Sequence, residues 1–423
     1  RSVTPRDLIA LRVSLARIPG LKALLSPCSS ASVRFERDRL DPLEDLRRHL
    51  ETAIEDAAPA LVRDGGIFRP GYSPELDRLR EAAGGGRTWI SDLEARERER
   101  TGIRSLKVGY NKVFGFYLEV TRSNLAQVPD DYIRRQTLAN GERYVTEALK
   151  EMEDRILGAE QKALQMEAEL FESLRETVAA ETPALQRNAE ALAVLDLSAG
   201  FAELAERERY VRPQVDLSDV LHIRGGRHPV VEQALGPGRF VPNDTVMDLS
   251  DQRLLILTGP NMAGKSTYMR QVALIVLLAQ IGSFVPADAA RIGVCDRIFT
   301  RVGATDDLST GQSTFMVEMR EVADILSHAT RRSLLVLDEV GRGTSTYDGL
   351  SIAWSVIEYI TDREVLGCRT LFATHYHELT DLEGRIGGIV NYRVTVGAKD
   401  GEVVFLHRIE RGGADESHGI EVA

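Results

Sequence analysis

The sequence predicts a multidomain α/β protein with long helices in its front half, a small strand-rich insertion between them, and a mainly parallel sheet at the end. Three observations carry this prediction. Leu149, Met152, Ile156, Ala159, Ala163, Met166, Leu170 and Leu174 advance by 3 or 4 residues each time, the apolar stripe of a long helix. Leu254-Leu-Ile-Leu257, Leu334-Leu-Val-Leu337 and Thr370-Leu-Phe-Ala373 are short and almost wholly apolar, the texture of strands buried on both faces of a parallel sheet. Gly259-Pro-Asn-Met-Ala-Gly-Lys-Ser-Thr267 follows the first of these strands and fits the phosphate-loop pattern G-x-x-x-x-G-K-[ST].

Composition sets the bounds. At 423 residues the chain is about three times the usual single-domain size. With 43% hydrophobic and 28% charged residues it is globular rather than disordered. A net charge of −11 excludes a uniformly basic nucleic-acid coat but leaves room for a local basic patch. Cys28, Cys295 and Cys368 are odd in number and lack metal spacing, which fits a reducing, cytoplasmic setting. The longest apolar run, Val272 to Ala279, is far short of a membrane span. The chain opens Arg-Ser-Val-Thr-Pro without an initiator Met and reads as a fragment of something longer.

Residues 1 to 87 read as helices broken by turns. A first run carries Leu8, Leu11, Val13, Leu15 and Ile18 and stops at Pro19-Gly20. A second is expected over Pro42 to Ala57, with Gly65-Gly66, Pro70-Gly71 and Gly84-Gly85-Gly86 as connectors. Leu106–Tyr110 and Phe114–Val120 read as a hairpin around Asn111-Lys112. From Leu149 a helix of roughly 35–40 residues, about 55 Å long, is expected, followed by another from Pro183 to about Arg209. Between 101 and 150 there are eight basic and five acidic residues, a local balance of +3. Two readings of this module stand. With Tyr110, Phe116, Tyr117, Tyr132 and Tyr144 it is equipped for phosphate-backbone contact. Alternatively it is a solvated insertion whose aromatics are its own core.

The phosphate loop is the most specific signal. Its glycines let backbone amides curl around phosphate, and the following helix adds the positive end of its dipole. Lys265 supplies a point charge, and the Ser266 hydroxyl can ligate Mg²⁺. The second strand delivers Asp338 and Glu339 at its end, one carboxylate for the metal and one to activate water. The third ends at Thr374-His375, where His375 is positioned to sense a γ-phosphate.

Several stretches go further. Gly259 to Arg270, Asp307-Leu-Ser-Thr-Gly-Gln-Ser-Thr-Phe-Met-Val-Glu-Met319, Asp338-Glu-Val-Gly-Arg-Gly-Thr-Ser-Thr-Tyr-Asp-Gly349, Phe372-Ala-Thr-His-Tyr376 and Arg134-Arg-Gln-Thr-Leu138 together resemble the MutS family of mismatch-repair ATPases, in the family's order. The resemblance implies a long-helix core and lever over 1–87 and 149–215, an inserted DNA clamp over 88–148, and an ABC-type ATPase domain over 216–423. It implies ATP and Mg²⁺ as ligands, with Gly259, Pro260, Asn261, Met262, Ala263, Gly264, Lys265, Ser266 and Thr267 around the nucleotide phosphates and metal. Asp338 would hold the metal and Glu339 the water. Ser313 would reach the γ-phosphate on a second copy of the chain, so that dimerisation completes each site. Phe240 and His407 match positions that flank the adenine. Asn140, with Arg134 and Arg135, matches clamp positions on duplex DNA; Ala139 stands where family members carry Lys, so one phosphate contact fewer is expected. A MutL-type repair protein is the implied partner, and no membrane is involved.

The family's mismatch reader is a Phe-x-Glu motif that wedges into the minor groove. Phe201-Ala-Glu203 fits the three letters but sits inside a helical run, so the reading and connector domains are expected to lie outside these residues. Other nucleotide-driven machines fit less well. Structural-maintenance ATPases place a long coiled coil between their two nucleotide motifs, whereas here Lys265 and Asp338 are close in sequence and the helices precede both. The shorter MutS paralogue should lack the clamp motif at 106–138. A transporter subunit would not carry this helical front half.

Overall fold

A computed structural model describes residues 3–111, 115–236, 238–261, 263–302, 314–399 and 402–413. The chain falls into two compact units, Arg1–Asp196 and Leu197–Ala423.

The first unit begins with α1 (Pro5–Leu25), α2 (Ala31–Arg39) and α3 (Glu44–Ala53). The Thr4 hydroxyl accepts from the Asp7 amide while the Asp7 carboxylate accepts from the Thr4 amide, a reciprocal cap that starts α1. α1 runs through Pro19-Gly20 rather than stopping there, because Leu15 and Ile18 before the pair are buried in the core, Leu21 after it packs on the same core, and packing outweighs the lost backbone bond. The expected helix over 42–57 is shorter, ending where Ile54 pairs with Phe68 in an isolated bridge. α4 (Pro74–Thr101), with Ser73 as its cap, passes straight through Gly84-Gly85-Gly86, so those glycines are helix interior and not a connector. Long helices tolerate such weak positions when neighbouring turns are packed, and α4 packs along α5.

Four strands follow: β1 (Lys107–Asn111), β2 (Gly115–Thr121), β3 (Ile133–Thr137) and β4 (Gly141–Val145), in the order β1-β2-β4-β3, all antiparallel. Their core is Leu93, Ile103, Leu106, Leu118, Val120, Tyr132, Tyr144, Val145 and Leu149. α5 (Glu147–Ala180) starts at the Thr146 cap and gives way at Glu181 to α6 (Thr182–Glu208), with Pro183 in its first turn where a missing amide costs nothing. Glu167 of α5 is 3% exposed. It accepts from the Ile67 amide at 2.9 Å and from Arg80 at 2.7 Å, stitching α5 to α4 and to the segment before it.

The second unit holds two sheets. β5 (Gln214–Asp216), β6 (Leu221–Gly226), β7 (Asn243–Met247) and β9 (Ala289–Gly293) form one, in the order β5-β9-β6-β7; α7 (Pro229–Leu235) lies between β6 and β7 in sequence. The other comprises β8 (Leu254–Thr258), β10 (Ile298–Arg301), β11 (Leu334–Asp338), β12 (Arg369–Ala373), β13 (Ile389–Lys399) and β14 (Glu402–Arg411). Its order is β10-β11-β12-β8-β13-β14, parallel throughout except for the last pair. Alternation along the central strands feeds two cores. Leu255, Leu257, Leu334, Val336, Leu371 and Ala373 pack with α8 (Lys265–Gln280). Leu254, Ile256, Leu335, Leu337 and Phe372 pack with α9 (Thr314–His328) and α10 (Thr346–Thr361). Helices on both faces explain why these strands are almost wholly apolar and buried along nearly their whole length. Phe201 lies in α6 and lines an apolar cavity of ≈ 450 Å³ with Tyr210 and Phe284. Among the described residues no helix is long and apolar enough to cross a membrane.

Replacing Glu167 with Ala leaves the Ile67 amide without its acceptor and removes the carboxylate that Arg80 Nη2 donates to, and should lower the stability of the first unit by about 2–3 kcal/mol in denaturant unfolding. Glu190→Ala, which removes an exposed ion pair with Arg39, should cost within about 0.5 kcal/mol.

Candidate active site

The register of the parallel strands brings three distant segments to one edge. Asp338 is level with Ala373, and Ala373 with Leu257. One residue further on, the Glu339 amide donates to Ala373 O and the Thr374 amide to Leu257 O. Gly259, Glu339 and His375 therefore emerge side by side at the carboxyl ends of β8, β11 and β12, where open parallel sheets bind ligands.

The phosphate loop ends at Gly264, the cap of α8, with φ 111°. A side chain there would be strained and would sit 3.4 Å from His407 Nδ1. α8 starts at Lys265 itself, three residues earlier than the helical run expected from Tyr268. Lys265 is 5% exposed and donates to Gly259 O at 2.6 Å and Pro260 O at 3.1 Å. Burial pushes its pKa down, and the charges of Glu339 and Asp338 oppose that shift. The ammonium is thus held against the carbonyl oxygens of its own loop.

Asp338 is half-buried, and desolvation raises its pKa, while a hydrogen bond from the Ser266 hydroxyl works the other way. Its Oδ1 is buried with no hydrogen-bond partner among the described residues. An orphaned carboxylate oxygen beside a hydroxyl is a hard-oxygen donor set that fits Mg²⁺, an ion that keeps most of its shell as water and phosphate oxygen. Among the described residues no three or more His, Cys, Asp and Glu cluster into a cage built from protein alone.

Glu339 has φ 56°, an uncommon backbone for a residue with a side chain. Its Oε1 accepts from His375 Nε2 at 2.5 Å, and its Oε2 pairs with Arg342. The His375 hydrogen bond, then Arg342, holds its carboxyl down at about 2. These three residues, with Asn261, Thr374 and Tyr376, line a cavity of ≈ 250 Å³ at the sheet edge.

His407 also has positive φ, 53°, and its Nδ1 bonds Ala263 O at 2.9 Å, so β14 touches the phosphate loop. Asn243 ties this strand to β7, donating to His407 O at 2.9 Å and accepting from the Ile409 amide at 2.8 Å. Phe240 is half-buried in the segment entering β7. Thr267 lies in the first turn of α8. Met262 and Ser313 lie outside the described residues. Arg342, Tyr376, Glu318 and Asn243 were not singled out from sequence. The first three stand inside motifs that were recognised, whereas Asn243 carries no local signal.

In the first unit Arg134 and Arg135 are exposed on β3, an edge strand. Arg134 has Glu142 at 3.5 Å. Asn140 is exposed in the β3–β4 turn. Arg143 is tied to Glu119 at 3.0 Å and lies 4.1 Å over the Tyr117 ring. Of the aromatics, Tyr132 and Tyr144 are core and Tyr110 is 50% exposed.

Residues 255–423 match MutS domain V, and residues 71–162 match MutS family domain IV. The whole chain aligns with proteins called DNA mismatch repair protein MutS, at 59% identity over 422 residues in Ruminiclostridium cellulolyticum and 56% over 422 residues in Acetivibrio thermocellus. Another, from Symbiobacterium thermophilum, is 56% identical over 421 residues. The chain belongs to the MutS family. It spans all of its own length in these alignments but only 48% of each of the three MutS relatives.

The Glu339 carboxyl sits below its ordinary 4.5, so this ion-paired cluster stabilises the fold fully above about pH 4.5 and fades as pH falls towards 2. In the nucleotide-free chain, His375→Ala should move the Glu339 titration up towards 4.5, followed by carbon-13 NMR of its carboxyl. An unmoved midpoint would assign the whole effect to Arg342.

Proposed function

We propose that the chain is the DNA-clamping and ATP-hydrolysing portion of a mismatch-repair ATPase, of ABC type in residues 216–423. The observation that carries this reading is the meeting of a buried phosphate-loop lysine, an orphaned buried carboxylate and a His-paired glutamate on one sheet edge.

In this reading the amides of 259–264 and the first turn of α8, with Asn261, Lys265, Ser266 and Thr267, bind the nucleotide phosphates. Ser266 and Asp338 hold Mg²⁺, which when bound neutralises charge building on the β- and γ-phosphates. Glu339, ionised throughout the physiological range, accepts a proton from the attacking water; His375 keeps its carboxylate oriented and reaches towards the γ-phosphate. Phe240 and His407 flank the base. Ser313 acts on the nucleotide of a second copy, so that hydrolysis needs a dimer. Residues 1–87 and 149–215 are core and lever, and 88–148 grip duplex DNA through Arg134, Arg135 and Asn140. A MutL-type protein and a cytoplasmic setting complete the proposal.

Lys265→Ala should weaken ATP binding by about tenfold or more, the scale of a lost charge-assisted contact. Glu339→Gln should keep binding and slow turnover by about 10²–10⁴, the contribution of a general base. Steady-state ATPase assays and nucleotide titration separate the two; normal turnover in Glu339→Gln would remove it from the reaction. For the clamp, log affinity for duplex DNA should fall with log salt at a slope of about −2 to −4, equally for matched and G·T duplexes. Arg135→Ala should flatten that slope by about 1 in fluorescence anisotropy. A tenfold preference for G·T would place a mismatch reader within these residues.

A further inference from the structure

Glu339 holds a strained backbone, and the loop that follows it is pinned from three sides. Gly341 has φ 88°, and a Cβ there would lie 2.6 Å from Gly349 O at the start of α10. The Tyr376 hydroxyl, just past β12, donates to Gly341 O at 3.0 Å. On the remaining side the Gly341 amide donates to Glu318 Oε1 at 2.6 Å. Glu318 belongs to α9, the helix that precedes β11, and is 5% exposed.

A buried carboxylate is costly unless its oxygens are used. Here one oxygen takes the Gly341 amide and the other lies 3.8 Å from Arg301, which is itself 7% exposed and also pairs with Glu321. That arrangement is more than α9 needs to pack, since its apolar face already carries Val322 and Ile325 into the core. What the carboxylate adds is a fixed acceptor for one backbone amide, two residues beyond Glu339. A residue at positive φ relaxes unless its surroundings over-determine it, and the amide bond supplies that determination.

We propose that Glu318 is a positioning residue for hydrolysis: by accepting the Gly341 amide it holds Glu339 where its carboxylate can meet water at the γ-phosphate. The proposal rests on the reading of Glu339 as the general base.

The test separates hydrogen bonding from charge. Glu318→Gln keeps an acceptor at the same reach but loses the charge facing Arg301; Glu318→Asp keeps the charge but is one methylene too short to reach the amide. With 423-residue chains, ATP affinity and single-turnover hydrolysis are measured for both, alongside Glu339→Gln. The proposal expects ATP affinity within about twofold of the parent in both Glu318 variants. Hydrolysis should be near normal in Gln and slowed by about tenfold in Asp, the scale of one lost hydrogen bond to a charged acceptor. Normal hydrolysis in Asp, or equal slowing in both, would overturn it and leave Glu318 as a partner of Arg301 only. Normal turnover in Glu339→Gln would instead overturn the reading of Glu339, and the proposal with it. Because Gln and Asp both preserve polarity at the site, the comparison does not depend on an alanine variant folding.

Discussion

The chemistry of this chain depends on the register of three parallel strands. β8, β11 and β12 start and stop together, so residues more than a hundred positions apart in sequence leave the sheet on one level. Both faces of these strands are covered, which makes the register hard to slip: a one-residue shift would exchange the two cores. The cost of this arrangement is borne at the edge, where Glu339 and His407 adopt left-handed backbones and Lys265 and Asp338 are held away from water. Stored strain and desolvated charge are features that cluster at functional sites.

Much of this was legible in the sequence because it is written in short, local signals. Three apolar runs gave three strands to within a residue or so at each end, and the polar residues after them are the ones that converge. The helical stripe from Leu149 likewise anticipated α5. Local signals misled where packing overruled them, at Pro19-Gly20 and at Gly84-Gly85-Gly86, both of which are helix interior. Asn243 and Glu318 were out of reach for a different reason. Their roles are hydrogen bonds to backbone atoms on other elements, and neither an Asn outside any motif nor a Glu inside a recognised one hints at which backbone group it will meet.

The strand-rich insertion shows how composition can be split by folding. Its excess positive charge is real, but Arg143 is committed to Glu119 and Tyr117, and Arg134 has Glu142 nearby. Two of its five tyrosine and phenylalanine side chains singled out in sequence are plainly core. Tyr132 and Tyr144 hold the module together, as expected of an insertion with its own core, and its exposed part is an edge strand with two arginines and a turn.

The most direct test of the central claim is a calorimetric titration of ATP with and without Mg²⁺, in the parent chain and in Asp338→Asn. If Asp338 and Ser266 hold the metal beside the phosphates, Mg²⁺ strengthens ATP binding in the parent and has little effect in the variant. An equal Mg²⁺ dependence in both would mean that the orphaned oxygen of Asp338 is not a metal ligand, and the account of the sheet edge would fail at its centre.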